Sequence, residues 1–164
     1  MRIHVTGNAG AGKTTLSRKL GAQLEIPVIH LDQIVWAPRW QKVSSHDRDR
    51  ALSQIVQSDC WLIEGVSSYV RQRADLVIFL DAPRRVCIWR CVKRNLPYLF
   101  KSRPELPPNC PEWQIWPTLL RIIWNFPGLV GQRIHLEARG SSKYLVFDNR
   151  FNTDEWLKGF QLAA

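Results

Sequence analysis

The apolar positions of this chain fall into short runs, separated by stretches in which they recur with a helical period. Residues 2–6 (Arg-Ile-His-Val-Thr) predict a buried first strand. Leu16, Leu20 and Leu24 lie one turn apart and predict a helix over residues 15–24. A second strand is expected over residues 26–31, ending at Asp32. A helix should follow from about Ser45, with Ala51, Leu52, Ile55 and Val56 on one face and Ser44 or Ser45 as its cap. Residues 60–63 predict a third strand running into Glu64 and Gly65, and residues 76–80 a fourth running into Asp81. A helix from about Arg84 carries Val86, Ile88, Trp89 and Val92. Then Pro97, Pro104, Pro107, Pro108, Pro111 and Pro117 crowd one stretch, a poor helix and a poor strand. A long irregular insert of this kind, at about residues 95–114, is usually a working loop. Helical spacing resumes with Trp116, Leu119, Leu120, Ile123 and Trp124, and residues 144–147 make a fifth strand before a short closing helix. Strands alternating with helices predict one α/β domain over residues 1–164, built on a parallel sheet.

Between the first strand and the first helix stands Gly7-Asn8-Ala9-Gly10-Ala11-Gly12-Lys13-Thr14, a complete G-x-x-x-x-G-K-[ST] loop. The placement matters as much as the letters. A glycine turn that opens a helix lets successive backbone N–H groups wrap phosphates while the positive helix end faces them. Lys13 then reaches the β- and γ-phosphates, the Thr14 hydroxyl takes a place on Mg²⁺, and Thr15 joins the nucleotide-binding set. The pattern predicts a bound nucleoside triphosphate, with ATP and Mg²⁺ as the cofactors.

Composition narrows the rest. Apolar residues make 45% of the 164 and charged ones 23%, which describes an ordinary globular domain. The longest apolar stretch, residues 115–130, is broken by Pro117, Arg121, Asn125 and Pro127, so no membrane association is expected. With no basic-then-apolar leader legible, the expected location is the cytoplasm. The four cysteines form no C-x-x-C pair and read as buried or free thiols. A formal charge of +9 favours anionic partners, either a polyphosphate ringed by arginines or a nucleic acid. Neither the partner nor an oligomeric state can be chosen from that number.

Several blocks together resemble a known family. The loop at Gly7, Asp32 with Trp36-Ala37-Pro38-Arg39-Trp40 after it, Trp61-Leu62-Ile63-Glu64-Gly65, Leu80-Asp81-Ala82-Pro83 and Arg90-x-x-x-Arg94 occur in an order that looks like the small P-loop kinases of the adenylate kinase and shikimate kinase type. Arg103-Pro104-Glu105-Leu106, Cys110-Pro111-Glu112 and Trp124-Asn125-Phe126-Pro127 are similar to the bacterial subgroup called DNA topology modulation protein, or FlaR-like. The resemblance covers nearly the whole chain. It implies a three-layer α/β/α P-loop fold with five parallel strands in the order 2-3-1-4-5, plus a lid insert. That order brings the third strand's end beside the phosphate loop. Glu64 therefore serves the metal through water, or the acceptor site together with Gly65, while Asp81 takes a structural role such as starting the next helix. The adenylate kinase pattern has Asp-Gly where this chain has Glu64-Gly65, so metal and acceptor roles both stay open.

Acceptor chemistry points first to Asp32, because ligands of open parallel sheets bind beyond the carboxyl ends of the strands. An acceptor hydroxyl gains from a carboxylate that takes its proton; a phosphate acceptor needs arginines instead, and Arg39, Arg71 and Arg73 keep that alternative open. Trp36 and Trp40 suit either stacking on a flat ring or packing of a covering loop. His30, one pleat before Asp32, reads as a core histidine. In the lid, Arg94 and Arg103, with Arg90, are expected to neutralise the γ-phosphate, since Arg90 and Arg94 share one helix face. Arg103-Pro104 resembles a shikimate kinase lid, and by the same resemblance Asn149 and Arg150 lie where the adenine is held. The expected function is transfer of the γ-phosphate of ATP to a small-molecule acceptor, a nucleoside or nucleotide among the candidates. A nucleotide-regulated DNA-binding or topology-modulating protein stands as the alternative, without a legible helix-turn-helix or zinc module, as does a plain NTPase switch.

Overall fold

The five apolar runs assemble into one parallel sheet. The computed structural model describes residues 1–102, 108–148 and 152–160. Its strands are β1 (Arg2–Gly7), β2 (Val28–His30), β3 (Trp36–Ala37), β4 (Gln41–Lys42), β5 (Trp61–Glu64), β6 (Leu76–Asp81) and β7 (Tyr144–Asp148). The main sheet runs β2-β5-β1-β6-β7, and every neighbouring pair in it is parallel. With the small antiparallel pair β3–β4 left out, this is the expected order 2-3-1-4-5. The central strand β1 buries Ile3 and Val5 completely, as a strand covered by helices on both faces must.

Helices α1 (Lys13–Leu24), α2 (Leu31–Val35), α3 (Ser45–Val56), α4 (Ser68–Arg73), α5 (Arg84–Asn95), α6 (Glu112–Phe126), α7 (Gln132–Ala138) and α8 (Thr153–Gly159) cover the sheet. In α1 the Leu16 and Leu20 side chains are buried against β1 and its neighbours, worth about 1.5–3 kcal/mol each. The Ser44 hydroxyl accepts from the Asp47 N–H at 3.1 Å, which fixes the start of α3 at the expected cap.

Three local expectations are corrected. The second strand stops at His30, and Leu31 and Asp32 open α2, because Leu31 is buried beneath Gly65 rather than extending the sheet edge. Helix α6 begins at Glu112 and contains Pro117. The missing N–H there leaves only the Trp113 carbonyl without its helical donor, on an exposed face where water can serve it. Asp81 does not cap α5, whose first turn is preceded by Pro83; its carboxylate meets His135 Nε2 at 2.8 Å instead.

Helix α6 runs through a π-helical turn, Pro127–Gly131, into α7. Pro127 offers no N–H to the carbonyl four residues earlier, that of Ile123. The side-chain amide of Asn8, inside the phosphate loop, donates to that carbonyl at 2.9 Å. Asn8 is buried, and its Oδ1 also accepts from the Ala9 N–H at 2.8 Å. Loop and helix are thus tied by a polar contact whose removal would strand a buried carbonyl, at a cost of about 1–3 kcal/mol. No helix among the described residues is long and apolar enough to cross a membrane.

A candidate phosphate site between two cavities

The loop from Gly7 to Thr14 turns from β1 into α1 through backbone that requires glycine. Gly12 has φ 104°, and Gly10 has φ 80° with so little room that an added Cβ would sit 2.4 Å from the Cys87 carbonyl oxygen. Packing of α5 on the loop therefore sets its shape. Lys13 Nζ donates to the Asn8 carbonyl at 3.0 Å across the loop.

The loop forms a wall of two cavities. One, of about 290 Å³, is bordered by Ala11, Gly12 and Thr15 from the loop and α1, by Arg90 from α5, and by Phe147 and Asp148 at the end of β7. The other, of about 260 Å³, has Ala9 and Lys13 on its loop side and Glu64 and Gly65 at the end of β5. Asp32, Val35, Trp36 and Trp40 form its second side, and Ile115, Leu119, Ile122 and Phe126 of α6 its third. Those α6 positions, spaced 115, 119, 122 and 126, are one helical face. The sequence shows that spacing without showing what it faces.

Glu64 is the hub of the site. Its Oε2 lies 2.8 Å from His30 Nδ1 and 3.5 Å from the Thr14 hydroxyl, and its Oε1 lies 3.9 Å from Lys13 Nζ. Burial alone would raise the Glu64 carboxyl. The hydrogen bond from His30, followed by the Lys13 and His30 charges and the Thr14 hydroxyl, outweighs it and holds the group below the usual carboxylate range. His30 is thus not a core histidine. The parallel register sets His30 opposite Glu64 across β2 and β5, and a histidine sharing a strand end with that acid was the overlooked signal.

Phosphates and a divalent ion fit this arrangement. Thr14 and Glu64 supply adjacent oxygen donors of the hard type that Mg²⁺ takes, directly from the hydroxyl or through water from the carboxylate. Lys13 stands beside them as a fixed cation.

The other expected residues divide. Arg90 lines the first cavity, and its Nη1 lies 3.4 Å from the Ala11 carbonyl, so it reaches the loop. Arg94 lines neither cavity: its Nε donates to Asn95 Oδ1 at 2.9 Å, and its Nη2 lies 3.7 Å from Cys91 Sγ. Asn8 spends its side chain on the α6 contact. Arg71, expected at the acceptor, is buried and pairs with Glu137 at 2.6 Å, where Tyr144 also donates at 2.9 Å; it ties α4 to α7 and β7. Arg39 is exposed at φ 63°, and its backbone N–H bonds the Asn109 carbonyl. Arg103, Asn149 and Arg150 lie outside the described residues.

No family model and no curated protein matches the sequence. Solved structures do. A shikimate kinase from Acinetobacter baumannii in complex with shikimate superimposes with a TM-score of 0.56 at 17% identity, covering 96% of this chain and 88% of that one. A gluconokinase from Sinorhizobium meliloti 1021 gives 0.55 at 17% identity, over 95% and 86% of the two chains. A deoxyadenosine kinase from M. mycoides with bound dATP gives 0.55 at 15% identity, over 96% of each. The fold is that of the P-loop kinases. At these identities the likeness concerns architecture, and the FlaR-like subgroup has no support from it.

One buried group beneath the candidate phosphate site makes stability depend on pH. His4 in β1 is buried, its Nε2–H donates to the Gly65 carbonyl at 3.1 Å, and burial pushes its pKa from 6.5 down to about 3. Between those values the unfolded chain binds the proton and the folded one does not, so stability falls as pH drops from about 6.5. The slope approaches about 1.4 kcal/mol per pH unit for this one proton. Glu64 adds its own loss only below its ordinary value of 4.5. Urea unfolding across pH 5 to 7 should show the His4 slope, and His4→Gln should flatten it. The same slope in both proteins would contradict the assignment.

Proposed function

We propose that this protein is a phosphotransferase that moves the γ-phosphate of ATP, with Mg²⁺, to a small acceptor. The observation that carries the reading is the placing of Lys13 and the loop between two separate cavities, one on each side of where the γ-phosphate of a bound nucleotide would lie. A plain NTPase has no use for the second cavity. The kinase architecture of the solved neighbours supports the same reading.

Phosphoryl transfer asks a protein mainly for positioning and charge neutralisation. Here the loop N–H groups and Lys13 hold the phosphates, and Arg90 adds positive charge from the first cavity. Thr14 and Glu64 would hold Mg²⁺, which would supply charge compensation to the phosphates. His30 fixes which way the Glu64 carboxylate points. Asp32, exposed at the edge of the second cavity, accepts the proton of an acceptor hydroxyl. The expected behaviour is slow ADP release from ATP and Mg²⁺ alone, and a marked rise when a mixture of small hydroxylated metabolites is added. An ADP release that no mixture changes would favour the NTPase.

The charge of +9 favours a second reading, a nucleotide-regulated DNA-binding protein. On the phosphotransferase reading DNA binding is weak, indifferent to sequence and steeply lowered by salt, since counterion release supplies nearly all of it. A preferred DNA sequence, bound roughly 10³-fold or more tightly than random DNA at physiological salt, would favour the rival.

A further inference from the structure

The walls of the second cavity say what kind of acceptor fits, provided the phosphotransferase reading holds. Trp36 and Trp40 meet edge to face, with ring centroids 5.4 Å apart and planes at 85°. The Trp40 indole N–H is committed to the Pro111 carbonyl at 2.9 Å, so that ring is held in place and presents apolar surface. Leu119, Ile122 and Phe126 face the cavity from α6. A planar ring has apolar or aromatic surface on two sides and little to hydrogen-bond along its faces.

The charges in the wall are the second observation. Among the described residues lining the cavity, Asp32 and Glu64 are acidic and Lys13 alone is basic. Lys13 belongs to the phosphate loop and sits 3.0 Å from the Asn8 carbonyl. Arg71, which could have met an anion, is paired with Glu137. Among the described lining residues, an acceptor carrying its own phosphate or carboxylate would face two carboxylates with no cation but the phosphate loop's own Lys13. The volume, about 260 Å³, is at the small end for ligand cavities and suits one ring with one sugar-sized group.

We propose that the second cavity takes an uncharged nucleoside and discriminates against its 5′-monophosphate. In the transfer, the nucleoside hydroxyl oxygen bonds to Pγ and the bond from Pγ to the β–γ bridging oxygen breaks. That electron pair leaves with ADP, and the hydroxyl proton passes to the Asp32 carboxylate.

The test measures ADP release from ATP and Mg²⁺ with adenosine, guanosine, cytidine and thymidine, and separately with their 5′-monophosphates. At least one nucleoside should raise the rate about tenfold or more above the acceptor-free rate, and its monophosphate should not, as expected where an unpaired anion is excluded. For that nucleoside, Asp32→Asn should lower kcat by about 10²-fold or more with little change in KM, the usual scale for a lost proton acceptor. Trp36→Leu should raise KM with kcat nearly kept. Stimulation by monophosphates and not by nucleosides would overturn the acceptor class and leave phosphotransfer standing. If neither set raises ADP release, the acceptor class falls, and the phosphotransferase reading falls with it only if the mixture of small hydroxylated metabolites also leaves all released phosphate inorganic.

Discussion

Replacing Lys13 by alanine should abolish phosphoryl transfer and leave the fold nearly intact. The ammonium group donates to the Asn8 carbonyl and stands 3.9 Å from Glu64, and among the described residues lining the second cavity it is the one cation that could meet the γ-phosphate's charge. Loss of a single preorganised charge stabiliser costs about 10²–10³-fold in rate. Its own packing contribution is small, because the loop's shape is set by Gly10, Gly12 and the Asn8 contact with Ile123. Turnover and thermal unfolding of the variant check both halves. A variant that turns over normally would mean that the loop holds no reacting phosphate.

The second large effect separates two acids that look alike in the sequence. Glu64 and Asp81 each close an apolar strand, yet Glu64 meets Lys13, Thr14 and His30, whereas Asp81 meets His135. Glu64→Gln should lower kcat by about 10–100-fold and raise the Mg²⁺ concentration needed, the range found for groups that orient metal ligands. His30→Ala should reproduce part of that loss, because the carboxylate would keep its charge and lose its orientation. Asp81→Asn should instead lower the thermal midpoint and leave kcat alone. Loss of chemistry in Asp81→Asn at unchanged stability would mean that the roles are reversed.

Much of this was legible before any coordinates. Apolar runs marked all five main strands, and the glycine-rich loop was legible between β1 and α1. The structure adds what depends on pairing between distant segments. His30 read as a core residue because nothing local distinguishes a histidine near a strand end; only the register of β2 on β5 sets it opposite Glu64. Asp32 read as a strand end because Leu31 continues the apolar run, but burial of Leu31 under Gly65 turns the chain into α2 first. Arg71 looked available to an acceptor. Its partner Glu137 lies in a helix that the sequence does not place beside α4. Proline content misled most in α6, since Pro117 sits where an exposed carbonyl can do without a donor, and Pro127's missing N–H is answered by Asn8.

The fate of the γ-phosphate tests the central claim most directly. The protein is incubated with Mg²⁺ and γ-labelled ATP, together with the acceptor that stimulates ADP release, and the label is followed by chromatography. The account predicts label on the acceptor in step with ADP formed, and none there with Lys13→Ala. Label found only in inorganic phosphate, at a rate independent of the acceptor, would contradict it.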